Sequence, residues 1–76
     1  MHIGNQIKMK MKEKKKSVVW LANELGYSRI NIYKIFDKRS IDSNILLRIS
    51  TILDFDFFSL YTEELEQKKQ HYDQEV

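Results

Sequence analysis

The sequence has 76 residues with no Cys and no Pro, which excludes a disulfide framework and a cysteine-based zinc site. Its net charge of +2 hides an asymmetry: residues 1–61 hold 11 basic and 6 acidic side chains, residues 62–76 hold 2 and 5. A basic body with an acidic tail is the pattern of a chain whose body meets a polyanion.

No apolar run approaches the roughly 20 residues of a bilayer-crossing helix, and no apolar leader core follows Met1. Gly4 and Gly26 lie too far apart to build a phosphate-cradling loop. The expectation is one small cytoplasmic domain, with no cofactor or metal and no membrane attachment. A core this small is marginal alone, which leaves oligomerisation as its support.

Ile3, Ile7 and Met11 recur every four residues and form one face of a first helix, which the run Lys14-Lys15-Lys16 ends. Ser17 is a suitable cap for a second helix with Val18, Leu21, Ala22 and Leu25 inside, and Gly26 stops it. Ser28 caps a third helix, with Tyr27 and Ile32 as a hydrophobic staple. Ile32, Ile35 and Phe36 face inward, while Arg29, Ile30, Tyr33 and Lys34 face out. Residues 37–40 read as a polar loop.

Asp42 caps a fourth helix, stapled by Ile41 and Leu46, with Ile45, Leu46, Ile49, Ile52 and Leu53 on its apolar face. Asp56 caps a short fifth helix, stapled by Phe55 and Leu60. Phe55, Phe57, Phe58 and Tyr61 are assigned to the core. Asp54 and Asp56 flank that helix start, so capping explains them better than a catalytic carboxylate pair. Residues 62–76 read as a polar acidic tail, frayed helix or disorder, with Glu64 and Lys68 as an i,i+4 pair and Leu65 and Tyr72 seven apart. His2 and His71 are expected to be surface residues without a role. The prediction is an all-α domain over residues 1–61 followed by that tail.

The informative stretch runs from Val18 to Ile35. A helix-turn-helix needs a small residue where its helices cross, a glycine turn, apolar anchors three apart and an outer face that meets base edges. Ala22, Gly26, and Ile32 with Ile35 fill the first three places, and Leu21 and Leu25 complete the core. Arg29 has the geometry for guanine, Lys34 for guanine or phosphate, and Ile30 for a thymine methyl. Tyr33 offers an apolar body and a hydroxyl.

With the loop and the Leu46-Leu47-Arg48-Ile49 helix that follow, residues 3–61 resemble the phage repressor and Cro-type (Xre) helix-turn-helix family. The resemblance implies a compact five-helix, lambda-repressor-like fold. It implies a sequence-specific transcriptional regulator that binds double-stranded DNA as a homodimer, its third helix in the major groove. Carried over by position, Arg29, Ile30, Tyr33 and Lys34 face bases, Ser28 and Asn31 meet phosphates, and Lys38 and Arg39 lie beside the backbone path. Lys15 and Lys16, nearest the turn, are further candidates for phosphate contact. Val18 stands where family members commonly place Gln, and Val19 and Trp20 stand where they place polar residues.

An exposed Val-Trp pair implies a cover, either the tail or a second subunit, and with Tyr61 it forms a candidate interface. The alternative function is a helical protein-interaction module or an antitoxin-like partner-binding protein. Ile30 and Tyr33 would then serve as part of a protein-contact surface. No nucleophile or metal partner stands near Asp54 and Asp56, and no catalytic constellation is read elsewhere, so an enzyme is not expected.

Overall fold

A computed structural model describes the backbone of residues 1–75 and the side chains of residues 1–69. Five helices follow one another: α1 (Ile3–Glu13), α2 (Val18–Leu25), α3 (Arg29–Phe36), α4 (Ser43–Leu53) and α5 (Phe58–Glu75). No strand occurs among the described residues, and no helix there is long and apolar enough to cross a membrane. The contents of the sequence expectation that concern the side chains of His71 and Tyr72, and Val76, lie outside the described residues.

Helix starts follow local chemistry. The Ser17 Oγ accepts from the Trp20 N–H at 3.0 Å, and the Ser28 Oγ from the Asn31 N–H at 3.2 Å. The Asp42 carboxylate accepts from the Asn44 and Ile45 N–H groups, and that of Asp56 from Phe58 and Ser59. Each cap satisfies backbone donors that have no partner within the helix. His2, expected to have no role, caps α1: its Nδ1 accepts from the Asn5 N–H at 3.1 Å.

Three helices end in the same way. After α1, α2 and α4 the chain turns through a left-handed residue: Lys15 (φ 57°), Gly26 (φ 72°) and Asp54 (φ 50°). In each case the next residue donates five positions back: Lys16 to Met11, Tyr27 to Ala22, and Phe55 to Ser50. That is the Schellman closure, which glycine adopts without a Cβ penalty. Asp54 therefore closes α4 rather than capping α5, and its carbonyl receives the Lys14 ammonium at 3.3 Å. Lys15 carries the Cβ penalty in full. Lys15→Gly is expected to raise stability by about 1 kcal/mol, less some chain entropy. Thermal unfolding followed by circular dichroism checks this, and an unchanged or lower Tm would contradict it.

The core is thirteen apolar side chains: Ile3, Ile7 and Met11 from α1, Leu21, Ala22 and Leu25 from α2, Ile32, Ile35 and Phe36 from α3, Leu46, Ile49 and Leu53 from α4, and Phe57. No polar residue is buried as a whole among the described residues, although the Ser50 Oγ is shut off from water with no hydrogen-bond partner among them. Of the aromatic cluster assigned to the core, only Phe57 is fully buried. Phe55, Phe58 and Tyr61 pack against the core and keep part of their surface in water, as does Val18. α3 packs against both α1 and α2, and α2 also packs against α4.

α1 meets α3 through backbone as well as through side chains of the shared core. A Cβ on Gly4 would collide with the carbonyl oxygens of Ile35 and Phe36. The Ile3 and Gly4 N–H groups donate to the carbonyls of Arg39 and Lys38 at 3.0 and 2.9 Å. The start of α1 thus pins the loop that leaves α3.

α5 is longer than the short helix expected, continuing through the segment read as a tail. Glu64 bridges Lys68 at 3.7 Å and the N-terminal ammonium at 3.5 Å. Residues 65–69 are exposed, and Leu65 retains 52% of its surface in water. At 1.5 Å per residue α5 is about 27 Å long, which accounts for a molecule 48 Å in its longest dimension and 20 Å across.

Candidate nucleic-acid interface

Ile32, Ile35 and Phe36 fix α3 to the core and so determine which side chains face out. At about 100° per residue, those three occupy one side of the helix. Arg29, Tyr33, Ile30 and Lys34 follow in that angular order across the opposite side. All four are exposed, with Ile30 at 67% and Tyr33 at 55%. α3 contains no acidic residue, so a basic face is mounted on a buried apolar one.

The connection between α2 and α3 spans residues 26–28 and is tied at both ends. The Gly26 turn closes α2 and the Ser28 cap opens α3. Arg48 adds a bond that the sequence reading did not assign. Its guanidinium donates to the Leu25 carbonyl at 2.9 Å and lies 5.8 Å from the centroid of the Tyr27 ring. A cation on the last carbonyls of α2 also opposes the negative end of its dipole. Arg48 thus couples α4 to the turn that sets the angle of α3. Tyr33 is braced too, its ring meeting that of Phe36 edge to face at 6.2 Å.

The remaining candidates are placed as follows. Ser28 and Asn31 are exposed at the start of α3. The Ser28 Oγ accepts in the cap, which leaves its O–H free to donate. Lys38 and Arg39 are exposed, with their carbonyls held by α1. Lys15 and Lys16 are exposed between α1 and α2. The Lys16 ammonium lies 4.7 Å from the Trp20 ring centroid, a contact worth about 0.5–1 kcal/mol at an exposed site.

Among the described residues nothing closes over Val19, which is 48% exposed. Trp20 is half-buried against the core of its own chain. A loss of stability in Trp20→Ala would therefore report on that packing and says nothing of a second subunit. Tyr61 likewise packs on the core.

Away from α3, two open clefts of about 300 and 410 Å³ flank Leu47 on the outer side of α4. Their walls include Phe55, Phe58 and Ile52, and no α3 residue lines either. No group of three or more His, Asp or Glu side chains converges among the described residues.

No family model, no curated protein and no solved structure matches this chain.

Proposed function

We propose that this chain is a sequence-specific DNA-binding transcriptional regulator of the phage repressor and Cro type. α2 and α3 form its helix-turn-helix, and α3 enters the major groove. The observation that carries the reading is the outer face of α3. Two cations, an amide and a tyrosine project from a helix with no acid, and three buried side chains and two capped turns fix its direction. Such a face suits base edges, which present donors and acceptors in the groove. Lys15, Lys16, Lys38 and Arg39 supply charge for phosphates, and Ser28 and Asn31 supply neutral donors. A single helix meets few base pairs, so the working form is a homodimer on a two-fold site.

Counterion release gives the test. Four phosphate-neutralising cations per copy, or eight per dimer, imply that log K falls against log salt with a slope of about −7. Fluorescence anisotropy with a labelled 20-base-pair duplex measures it. A slope near zero would overturn the proposal.

A second reading of a different class has an observation of its own. Val19 and Leu65 are large apolar side chains left half in water, and neither belongs to α3. They suit a helical protein-interaction role of the antitoxin-like kind. The two readings are compatible, and charge reversal on α3 separates them.

A further inference from the structure

We propose that the outer side of α4 is the seam between two copies of this chain, with Leu47 of each copy seated in a cleft of the other. The inference rests on the two-fold form stated above and names the surface that makes it, which is not the surface around Val19, Trp20 and Tyr61.

α4 carries one more large apolar side chain than its core needs. Ile45, Leu46, Ile49, Ile52 and Leu53 lie on its inner side, and Leu46, Ile49 and Leu53 among them are buried. At about 100° per residue, Leu47 stands nearly opposite the middle of that stripe. It keeps 57% of its surface in water. Thr51 follows one turn later, and its hydroxyl donates to the Leu47 carbonyl at 2.9 Å. That hydroxyl is satisfied within the helix, so an apolar cover over Thr51 leaves no donor stranded.

Leu47 is a projection between two hollows, of about 300 Å³ on the side of Phe55 and Phe58 and about 410 Å³ on the side of α2. A two-fold axis midway between a projection and an adjacent hollow carries each projection into the hollow of the other copy. An isologous contact requires such a surface, one that complements itself.

Charge selects the larger cleft. Its walls hold Glu24 from α2 and Arg48 from α4 beside Leu47, Thr51 and Ile52. Glu24 and Arg48 are opposite in sign, and neither forms an ion pair within the chain among the described residues. Arg48 gives one bond to the Leu25 carbonyl, and a guanidinium has five N–H groups, so donors remain. In the two-fold contact Glu24 of each copy faces Arg48 of the other, which places two charge-assisted pairs beside the two leucines. The smaller cleft is walled by Asp54 and Asp56, and a two-fold contact there would gather four carboxylates. Arg48 also braces the turn before α3, so the seam and the α3 face share a residue.

Sedimentation equilibrium of the full chain, without DNA, tests this. The expected result is a reversible dimer with a micromolar dissociation constant, as suits a small contact. Leu47→Glu is expected to weaken it about a hundredfold or more, because two buried leucines are lost per dimer. Leu47 lies outside the core, so the variant stays folded by circular dichroism. Glu24→Arg and Arg48→Glu are each expected to weaken self-association about tenfold. Mixed one to one they restore it, because the mixed pair sets arginine against glutamate at both places. If Arg48→Glu does not fold, Leu47→Glu and Glu24→Arg decide the matter. A chain that stays monomeric at millimolar concentration overturns the inference, and so does a dimer that Leu47→Glu leaves unchanged. Neither readout uses DNA, so a dimer with this seam and no salt-dependent duplex binding would remove only the DNA reading.

Discussion

Gly4→Ala is expected to remove about 3–5 kcal/mol of stability. The change reads as benign from sequence, because alanine in a helix favours folding over glycine by about 1 kcal/mol. The fold reverses that sign. The new methyl would enter the space of the Ile35 and Phe36 carbonyls, and backbone cannot rotate away as a long side chain can. Overpacking costs about 1–3 kcal/mol and occasionally more. The shift needed to relieve it would stretch the bonds from Ile3 and Gly4 to Arg39 and Lys38, each worth about 0.5–1.5 kcal/mol. A domain of this size holds only about 4–11 kcal/mol in total. The Tm should fall by about 15 °C or more, and a change below 5 °C would show that α1 does not approach α3 as described. Lys38 and Arg39 would lose their support in the same variant, so affinity for a duplex should fall at temperatures where the protein is still folded.

The double reversal Arg29→Glu with Lys34→Glu is expected to have the opposite signature. Both side chains are exposed, so Tm should change little. On DNA each loses an attractive contact worth about 1–3 kcal/mol and gains repulsion from phosphates, so affinity should fall about 10²- to 10⁴-fold. Binding to a protein partner through Val19 and Leu65 should survive, because neither residue lies on that face. A duplex affinity unchanged by the reversal would remove α3 from the interface, whatever the salt dependence of binding.

Local signals were the legible part of this fold. Ser17, Ser28, Asp42 and Asp56 cap helices because their oxygens reach donors two or three residues ahead, and a sequence displays that spacing directly. Gly26 is readable for the same reason. The outward face of α3 follows from the spacing of Ile32, Ile35 and Phe36, which the periodicity exposes. What escaped is contact between residues far apart in the chain. Gly4 matters because of carbonyls more than thirty positions away, and Arg48 because it reaches back to Leu25. His2 gives little sign of its cap because histidine is uncommon there, and nothing in the Lys15 side chain announces a left-handed turn. The length of α5 had a different cause. Beyond Tyr61 no Gly or Pro interrupts a run of good helix formers, and the bond from Lys68 to Glu64 supports it. The absence of an apolar stripe there indicates exposure, which the structure bears out at residues 65–69, and does not indicate the end of a helix.

The most direct measurement is an amide chemical-shift titration of the labelled protein with a random-sequence duplex at low salt. The account predicts shifts at Lys16, at residues 28–34 and at Lys38 and Arg39, reversed by added salt, with α5 beyond Glu64 unmoved. A folded protein whose α3 amides do not shift would contradict it, and the surface around Val19 would become the place to look for a partner.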